Sequence, residues 1–176
     1  MRTEKQIYEM ILNFAQADER IRMVTLEGSR TNVNIPPDDF QDYDITFFVT
    51  DMESFTKDDK WLDRFGKRLI MQKPEDMELF PSIEPGFSYL MLFDDDVKMD
   101  LTLLPVDLAE EYFTWDKLVK ILLDKDGRIA LPPVPTDMDY HLKYPTARMF
   151  DDCCNEFWNT VTYVVKGLCR REILFA

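Results

Sequence analysis

The segments LEGSR (residues 26–30) and DYDITFFV (residues 42–49) place a Gly-Ser pair and two aspartates beside two apolar stretches. The first stretch, RMVTL (22–26), predicts a short β-strand that ends at Gly28 and Ser29. In the second segment, apolar and polar side chains alternate, which is typical of a strand with one buried face. Its polar positions are Asp42, Asp44 and Thr46. The two segments therefore predict two carboxylates on one face of a strand, close to a Gly-Ser turn.

A third aspartate is expected to join them from a β-hairpin. The apolar segments 87–93 and 97–105 flank the acidic turn 94–96, a pattern that favours two antiparallel strands. Asp100 lies in the middle of the second segment, where a solvated charge is uncommon. If this strand neighbours residues 42–49, three carboxylates meet and repel one another unless cations lie between them.

Magnesium ions suit such a cluster because Mg²⁺ binds oxygen ligands and commonly combines one or two carboxylates with substrate phosphates. Two ions about 3.5–4 Å apart stabilise both the attacking and the leaving oxygen of a phosphoryl displacement. We therefore expect Asp42, Asp44 and Asp100 to be catalytic metal ligands. The alternative is that Asp42 and Asp44 lie on the solvent face of an edge strand.

The Gly-Ser pair has the chemistry of a phosphate-binding turn. Gly28 lacks a Cβ, so its backbone can approach a phosphate closely. Ser29 can supply a hydroxyl and an amide to a phosphate oxygen. Arg30 would neutralise a terminal phosphate, although an arginine in such a loop is as often simply exposed. A Gly-Ser pair alone is a weak signal, and it gains weight here from the aspartates that follow.

Charge limits the range of partners. The chain of 176 residues carries a formal net charge of −13. Nucleic acids are bound by clusters of Lys and Arg, so this balance argues against a nucleic-acid partner. It favours either no charged partner or a cationic one.

The compartment is expected to be the cytoplasm. No apolar run approaches the roughly 20 residues that a membrane helix needs, and the N-terminal residues lack the apolar core of a signal peptide. Three cysteines without CxxC spacing and a single histidine disfavour a disulfide framework or a structural zinc site. Reduced thiols on helices are the simpler interpretation.

The domain organisation is interpreted as an α/β domain followed by helices. Residues 1–133 predict helices around a mixed β-sheet, with an amphipathic helix expected at 57–71 and mixed helix and turn at 116–130. The proline-rich segment 131–145 is typical of a domain boundary. Residues 134–176 are expected to form a connector and the beginning of a helical domain. Because the sequence ends in an apolar segment, we expect the C-terminal part of that domain to be missing.

These motifs resemble those of the nucleotidyltransferase superfamily typified by DNA polymerase β. Its pattern is a hydrophobic residue, Gly-Ser, about a dozen residues, Asp-hydrophobic-Asp-hydrophobic, and a third Asp on a later strand. Here Glu27 stands between the hydrophobic Leu26 and the Gly-Ser pair. More narrowly, LEGSRTN, DYDITFFVTD, MDLTLLP and FWNTVTYVVKGLCRREI are similar to aminoglycoside 6-adenylyltransferases, which inactivate streptomycin, and the similarity runs from residue 1 to 176.

The resemblance implies transfer of AMP from ATP to an antibiotic hydroxyl, with magnesium as the cofactor and release of pyrophosphate. It implies that Asp42 and Asp44 bind both metal ions and that Asp100 binds one and helps to deprotonate the hydroxyl. Gly28 and Ser29 would hold the β- and γ-phosphates, and Arg30 would assist. Lys166 matches a helical lysine of this family and would reach the triphosphate, unless it is a solvated helix lysine.

The implied acceptor is cationic, because streptomycin carries two guanidinium groups, and carboxylates bind guanidinium through paired hydrogen bonds. The candidate acceptor ligands are Glu84, Asp151, Asp152 and Glu156, each of which is otherwise a surface charge. Two alternatives stay open: a nucleotidyltransferase with a protein or nucleic-acid acceptor, and an inert nucleotidyltransferase-like binding module. A calcium-binding protein is disfavoured because the Asp-x-Asp-x-Asp-Gly loop is lacking.

Overall fold

The computed structural model describes residues 2–79, 81 and 85–174. Its contacts divide the chain into two compact units, Met1–Asp139 and Tyr140–Ala176. The helices and strands of the first unit are α1 (Glu4–Ala17), β1 (Ile21–Glu27), β2 (Tyr43–Val49), α2 (Glu53–Thr56), β3 (Arg68–Gln72), β4 (Phe87–Phe93), β5 (Lys98–Pro105), α3 (Ala109–Trp115) and β6 (Val119–Asp124). The predicted domain boundary at 133/134 stays a prediction.

The six strands form one mixed sheet in the order β3-β4-β5-β2-β1-β6. β2 and β5 pair in parallel, and the other neighbouring strands are antiparallel. In the parallel pair, Asp44 lies opposite Asp100. This register brings two of the predicted carboxylates side by side at the centre of the sheet.

Helices cover both faces of the sheet. α1 begins with a capping box between Thr3 and Gln6 and buries Ile7 and Ile11 against one face. On the other face, Tyr112 of α3 packs edge-on against Phe48 of β2, with ring centroids 5.1 Å apart. Phe47 and Phe48 belong to different core clusters because successive residues of a strand point to opposite faces. The predicted α/β class with a mixed sheet flanked by helices is confirmed.

Two predicted elements were wrong. The helix expected at 57–71 is a 3₁₀ helix, Asp59–Phe65, followed by strand β3. The two are separated by Gly66, whose φ of +126° cannot continue a helix. The segment 116–130 contains β6, which pairs with β1 from Val119 to Asp124. A short apolar run such as VKILLD has no periodicity that distinguishes a buried strand from a helix, and pairing with β1 decides the outcome.

The second unit contains one long helix, α4 (Ala147–Arg170), which begins after the capping residue Thr146 and ends at Arg171 in a left-handed conformation (φ 61°). Its presence confirms that helical structure follows the proline-rich segment, as expected. Many of its large apolar side chains are exposed, including Phe150, Phe157 and Trp158. Among the described residues, the helices all fall short of the length and apolar character needed to cross a membrane.

Candidate active site

Three carboxylates converge at the N-terminal end of β2. One carboxylate oxygen each from Asp42, Asp44 and Asp100 lies within 4.8 Å of the other two. Asp42 directly precedes β2, Asp44 is its second residue, and Asp100 lies on the adjacent strand β5. The arrangement predicted from sequence is therefore present as geometry, whereas the role of these residues as metal ligands stays a prediction.

The donor set fits a divalent cation. Burial, followed by the charges of Asp100 and Asp42, raises the pKa of Asp44 to about 6. Asp100 Oδ1 is buried and has no hydrogen-bond partner among the described residues. A carboxylate cluster that is crowded by like charges and includes an unpaired buried oxygen is a suitable oxygen donor set for Mg²⁺.

Lys98 is a charged neighbour that the sequence analysis missed. Its Nζ donates to Asp42 Oδ2 at 2.5 Å and to Asp100 Oδ2 at 2.7 Å. Burial alone would lower the pKa of Lys98, but the hydrogen bonds to Asp100 and Asp42 raise it. The signal was available, because Lys98 precedes Asp100 by two residues and therefore shares its face of the strand.

The Gly-Ser turn lies against the carboxylates. Residues Gly28–Thr31 form one 3₁₀ turn directly after β1, and Gly28 has φ +71°. A Cβ placed on Gly28 would lie 2.4 Å from Asp44 Oδ2. A cleft of about 390 Å³ is lined by Ser29, Asp42 and Asp44 among others, so the turn and the carboxylates open onto one space.

Contacts to the start of β6 fix this turn. Gly28 N donates to the carbonyl of Leu118 at 3.2 Å. Thr31 Oγ1 donates to the carbonyls of both Gly28 and Leu118 at 2.8 Å. These hydrogen bonds attach the turn to the residue that precedes β6.

Arg30 connects the turn to the carboxylate strand. Its Nε donates to the carbonyl of Asp42 at 2.8 Å and its Nη2 to that of Gln41 at 2.7 Å. The guanidinium stacks 3.8 Å from the ring centroid of Tyr43, and the side chain is only 11% exposed. In return, Gln41 Nε2 donates to the carbonyl of Ser29 at 3.3 Å. The expected contact of Arg30 with phosphate stays a prediction, and the observed contacts are those of a residue that holds Asp42.

Glu27 is a second charged group that the sequence analysis did not place in the site. Its Oε1 accepts hydrogen bonds from Thr25 Oγ1 at 2.5 Å and from the Tyr112 hydroxyl at 2.6 Å. Burial raises the pKa of Glu27 to about 7, although these hydrogen bonds oppose the rise. Glu27 lies opposite Asp44 in the β1–β2 ladder, so it adds a further acidic group beside the cluster.

The remaining predicted ligands belong to the second unit or fall outside the description. Lys166 and the acidic candidates Asp151, Asp152 and Glu156 are exposed residues of α4. Their predicted contacts with the nucleotide and the acceptor stay predictions. Glu84 lies outside the described residues.

A mixed sheet whose Gly-Ser turn faces carboxylates on two parallel neighbouring strands defines the DNA polymerase β-like nucleotidyltransferase class. A family model of streptomycin adenylyltransferases matches residues 1–176. The chain belongs to this streptomycin adenylyltransferase family.

Individual relatives agree with this assignment. The chain is 80% identical over 176 residues to an aminoglycoside 6-adenylyltransferase from Campylobacter jejuni, a match that covers 100% of this chain and 61% of the relative. It is 63% identical over 178 residues to an aminoglycoside 6-adenylyltransferase from Bacillus subtilis (strain 168), covering 100% of this chain and 63% of the relative.

A solved structure shares the fold. The crystal structure of an aminoglycoside 6-adenyltransferase from Bacillus subtilis matches with a TM-score of 0.63 and 53% sequence identity, over 100% of this chain and 60% of that chain. The chain thus spans between 61% and 63% of the length of these two curated relatives. The matched part includes the Gly-Ser turn and all three aspartates.

Proposed function

We propose that this chain transfers AMP from ATP to a hydroxyl group of an aminoglycoside, namely the 6-hydroxyl of streptomycin, and so confers resistance. The observation that carries the proposal is the convergence of Asp42, Asp44 and Asp100 beside the Gly28–Ser29 turn. The family match and the names of the relatives support the same reaction. Since ATP is the co-substrate, we place the activity in the cytoplasm.

The triphosphate would lie against the Gly-Ser turn. Gly28 leaves the backbone accessible, and Ser29 offers its amide and hydroxyl to the β- and γ-phosphates. The shared cleft of Ser29, Asp42 and Asp44 supports this placement. It would bring the α-phosphorus between the turn and the carboxylates.

The three aspartates would hold Mg²⁺ in a two-metal arrangement. When bound, magnesium would offset the charge of the triphosphate and lower the pKa of the acceptor hydroxyl. Asp100 would receive the proton of that hydroxyl. The hydroxyl oxygen forms a bond to the α-phosphorus, the bond between that phosphorus and the α–β bridging oxygen breaks, and the electron pair leaves with pyrophosphate. Positioning and charge stabilisation can supply most of the rate in such a displacement.

A cationic acceptor fits the charge of the chain. The formal net charge of −13 attracts guanidinium groups, and the exposed carboxylates Asp151, Asp152 and Glu156 are candidate partners for them. Attraction of this kind is screened by salt. We therefore expect the KM for the antibiotic to rise as the ionic strength increases.

The direct test incubates the protein with ATP, MgCl₂ and a panel of aminocyclitol antibiotics, and follows pyrophosphate release and product mass. We expect streptomycin to gain one AMP, in a reaction that stops when the metal is chelated. A panel without modified antibiotic would contradict the proposed acceptor. Transfer of AMP to a protein or an RNA alone would move the assignment to another branch of the nucleotidyltransferases.

A further inference from the structure

We propose that Lys98 competes with free divalent cations for the carboxylate site and pairs with the triphosphate once a cation arrives with the nucleotide. The proposal rests on the proposed function, because it takes Asp42 and Asp100 as metal ligands. It assigns to Lys98 the control of when the site accepts metal. In this view the site discriminates against a bare cation and favours one that ATP carries.

The contacts of Lys98 place its positive charge on two of the three carboxylates of the proposed metal site. Its Nζ donates to one oxygen of Asp42 and to one of Asp100, at 2.5 and 2.7 Å. An ammonium and a divalent cation cannot share these lone pairs in the same positions. Binding of a cation to the two Oδ2 atoms therefore requires that Lys98 leave them.

Lys98 is able to leave. Its side chain is 43% exposed, and a lysine carries its charge on a flexible stem with several rotatable bonds. Arg30 offers a contrast, because its planar guanidinium is 11% exposed and donates to two backbone carbonyls. Of these two cations, Lys98 is therefore the one free to follow a ligand.

Release of Lys98 from the carboxylates costs free energy unless the ammonium finds another anion. A bare cation supplies none, whereas a cation that is bound to a triphosphate brings phosphate oxygens with it. Lys98 would then exchange carboxylate partners for phosphate partners. This exchange couples metal binding to nucleotide binding, and such coupling is reciprocal.

A structural role for Lys98 is the competing explanation. An ion pair between β5 and the residue before β2 could simply help to hold the two strands together. The parallel ladder already joins these strands in continuous register from Tyr43–Met99 to Val49–Pro105. A purely structural Lys98 would change the stability of the fold but not the balance between bare and nucleotide-bound metal.

The test measures binding of Mn²⁺, used as the probe for the divalent site, by electron paramagnetic resonance of the free ion. Titrations are run on the wild type and Lys98→Met, without nucleotide and with α,β-methylene-ATP. We expect Lys98→Met to bind bare Mn²⁺ on the order of tenfold more tightly and the Mn²⁺–nucleotide complex on the order of tenfold more weakly, within the usual range of coupling between sites. Affinity changes of opposite sign for bare Mn²⁺ and for the Mn²⁺–nucleotide complex would show that Lys98 exchanges carboxylate partners for phosphate partners.

Two further variants make the result specific. Lys57→Met removes the lysine at the end of α2 whose exposed pair with Glu53 spans 3.1 Å, and it should change neither titration. Lys98→Arg keeps the positive charge, and its guanidinium can donate to both carboxylates. This variant should therefore bind bare Mn²⁺ no more tightly than the wild type. Circular dichroism and thermal unfolding establish that each variant is folded.

The inference is overturned if Lys98→Met leaves both titrations unchanged, shifts them in the same direction, or weakens the binding of bare Mn²⁺. Asp44→Asn separates this failure from failure of the proposed function. If Asp44→Asn abolishes Mn²⁺ binding while Lys98→Met resembles the wild type, only the role of Lys98 is wrong. If the wild type binds Mn²⁺ no better than Asp44→Asn, with or without nucleotide, the carboxylate metal site and the role of Lys98 are both wrong.

Discussion

Gly28 and Asp44 approach so closely that a Cβ on Gly28 would lie 2.4 Å from Asp44 Oδ2. Gly28 also has φ +71°, a conformation that other residues adopt only with strain. Two separate requirements thus select glycine here: the backbone angle of the turn and the space needed by a carboxylate. The turn and the carboxylate cluster therefore form one structural unit.

Gly28→Ala should therefore damage the site beyond its effect on the fold. The strained backbone angle costs about 1–3 kcal/mol of unfolding free energy, and the methyl group would push the Asp44 carboxylate aside. We expect pyrophosphate release to fall by about two orders of magnitude, which corresponds to about 2.7 kcal/mol in the barrier. Gly127→Ala is the matched control, because Gly127 has φ +62° and nothing lies within 4 Å of a Cβ there. It should lose stability but keep its turnover, and equal losses of turnover in both variants would contradict the contact with Asp44.

Arg30→Lys tests whether Arg30 positions Asp42. A lysine keeps the charge but cannot donate to the carbonyls of Gln41 and Asp42 with the same fork. Loss of these hydrogen bonds should cost about 1.5–3 kcal/mol of unfolding free energy, and kcat should fall by about tenfold because Asp42 is less well held. Urea unfolding and steady-state kinetics check both values.

Arg20→Lys is the control for this variant. Like Arg30, Arg20 stacks on an aromatic ring, with its guanidinium 3.9 Å from the ring centroid of Phe55, and it pairs with Asp18. It follows α1, and its described contacts do not include the aspartates of the carboxylate cluster. It should lose stability with an unchanged kcat. If kcat falls in proportion to the loss of stability in both Arg30→Lys and Arg20→Lys, a positioning role for Arg30 is excluded.

The pair between Arg2 and Asp95 predicts how stability depends on pH. Arg2 donates from Nε and Nη2 to the two oxygens of Asp95 at 2.7 and 2.9 Å, and these hydrogen bonds hold the pKa of Asp95 well below its usual range. A depressed pKa in the folded state stabilises the fold above the unfolded pKa of about 3.9, and this stabilisation is lost as the pH falls through the folded pKa. Asp95→Asn should therefore lower the unfolding free energy by about 1–2 kcal/mol at pH 7 and by much less at about pH 2.

Urea unfolding of the wild type and Asp95→Asn at several pH values measures this difference. Glu9→Gln serves as the control because Glu9 pairs with Lys5 across 3.7 Å on the surface of α1, with 60% of the Glu9 side chain exposed. Exposed pairs of this kind contribute little. A gap between wild type and Asp95→Asn that does not change with pH would show that the charge of Asp95 is not the cause.

Alternation of apolar and polar residues was sufficient to predict β2 and β5, although β2 is buried on both faces. The same pattern placed Asp44 and Asp100 correctly on the face they share. The same spacing also puts Lys98 on the face of Asp100, but its contact with Asp42 and the position of Glu27 opposite Asp44 depend on which strands are neighbours and in what register. Periodicity alone does not contain that information.

The elements that were predicted wrongly depend on tertiary contacts. β3 and β6 are the two edge strands, and each is a short apolar run. β6 pairs with β1 near the start of the chain, whereas β3 pairs with the next strand, β4. Arg30 shows the same dependence at the level of one side chain. Its position after Ser29 suggested a phosphate ligand, which stays a prediction, and the sequence did not indicate that the fold brings the carbonyls of Gln41 and Asp42 within its reach.

The central claim is that the carboxylates beside the Gly-Ser turn carry out nucleotidyl transfer, and Asp44→Asn tests it most directly. This substitution keeps the size of the side chain and removes the charge that Asp100 and Asp42 repel, so the fold should be retained. The measurement is the rate of pyrophosphate release with ATP, Mg²⁺ and streptomycin, alongside thermal unfolding. We predict a loss of at least about a hundredfold, or about 2.7 kcal/mol, with no loss of stability. A folded Asp44→Asn protein that retains about a tenth of the wild-type rate, equivalent to about 1.4 kcal/mol, would contradict the account.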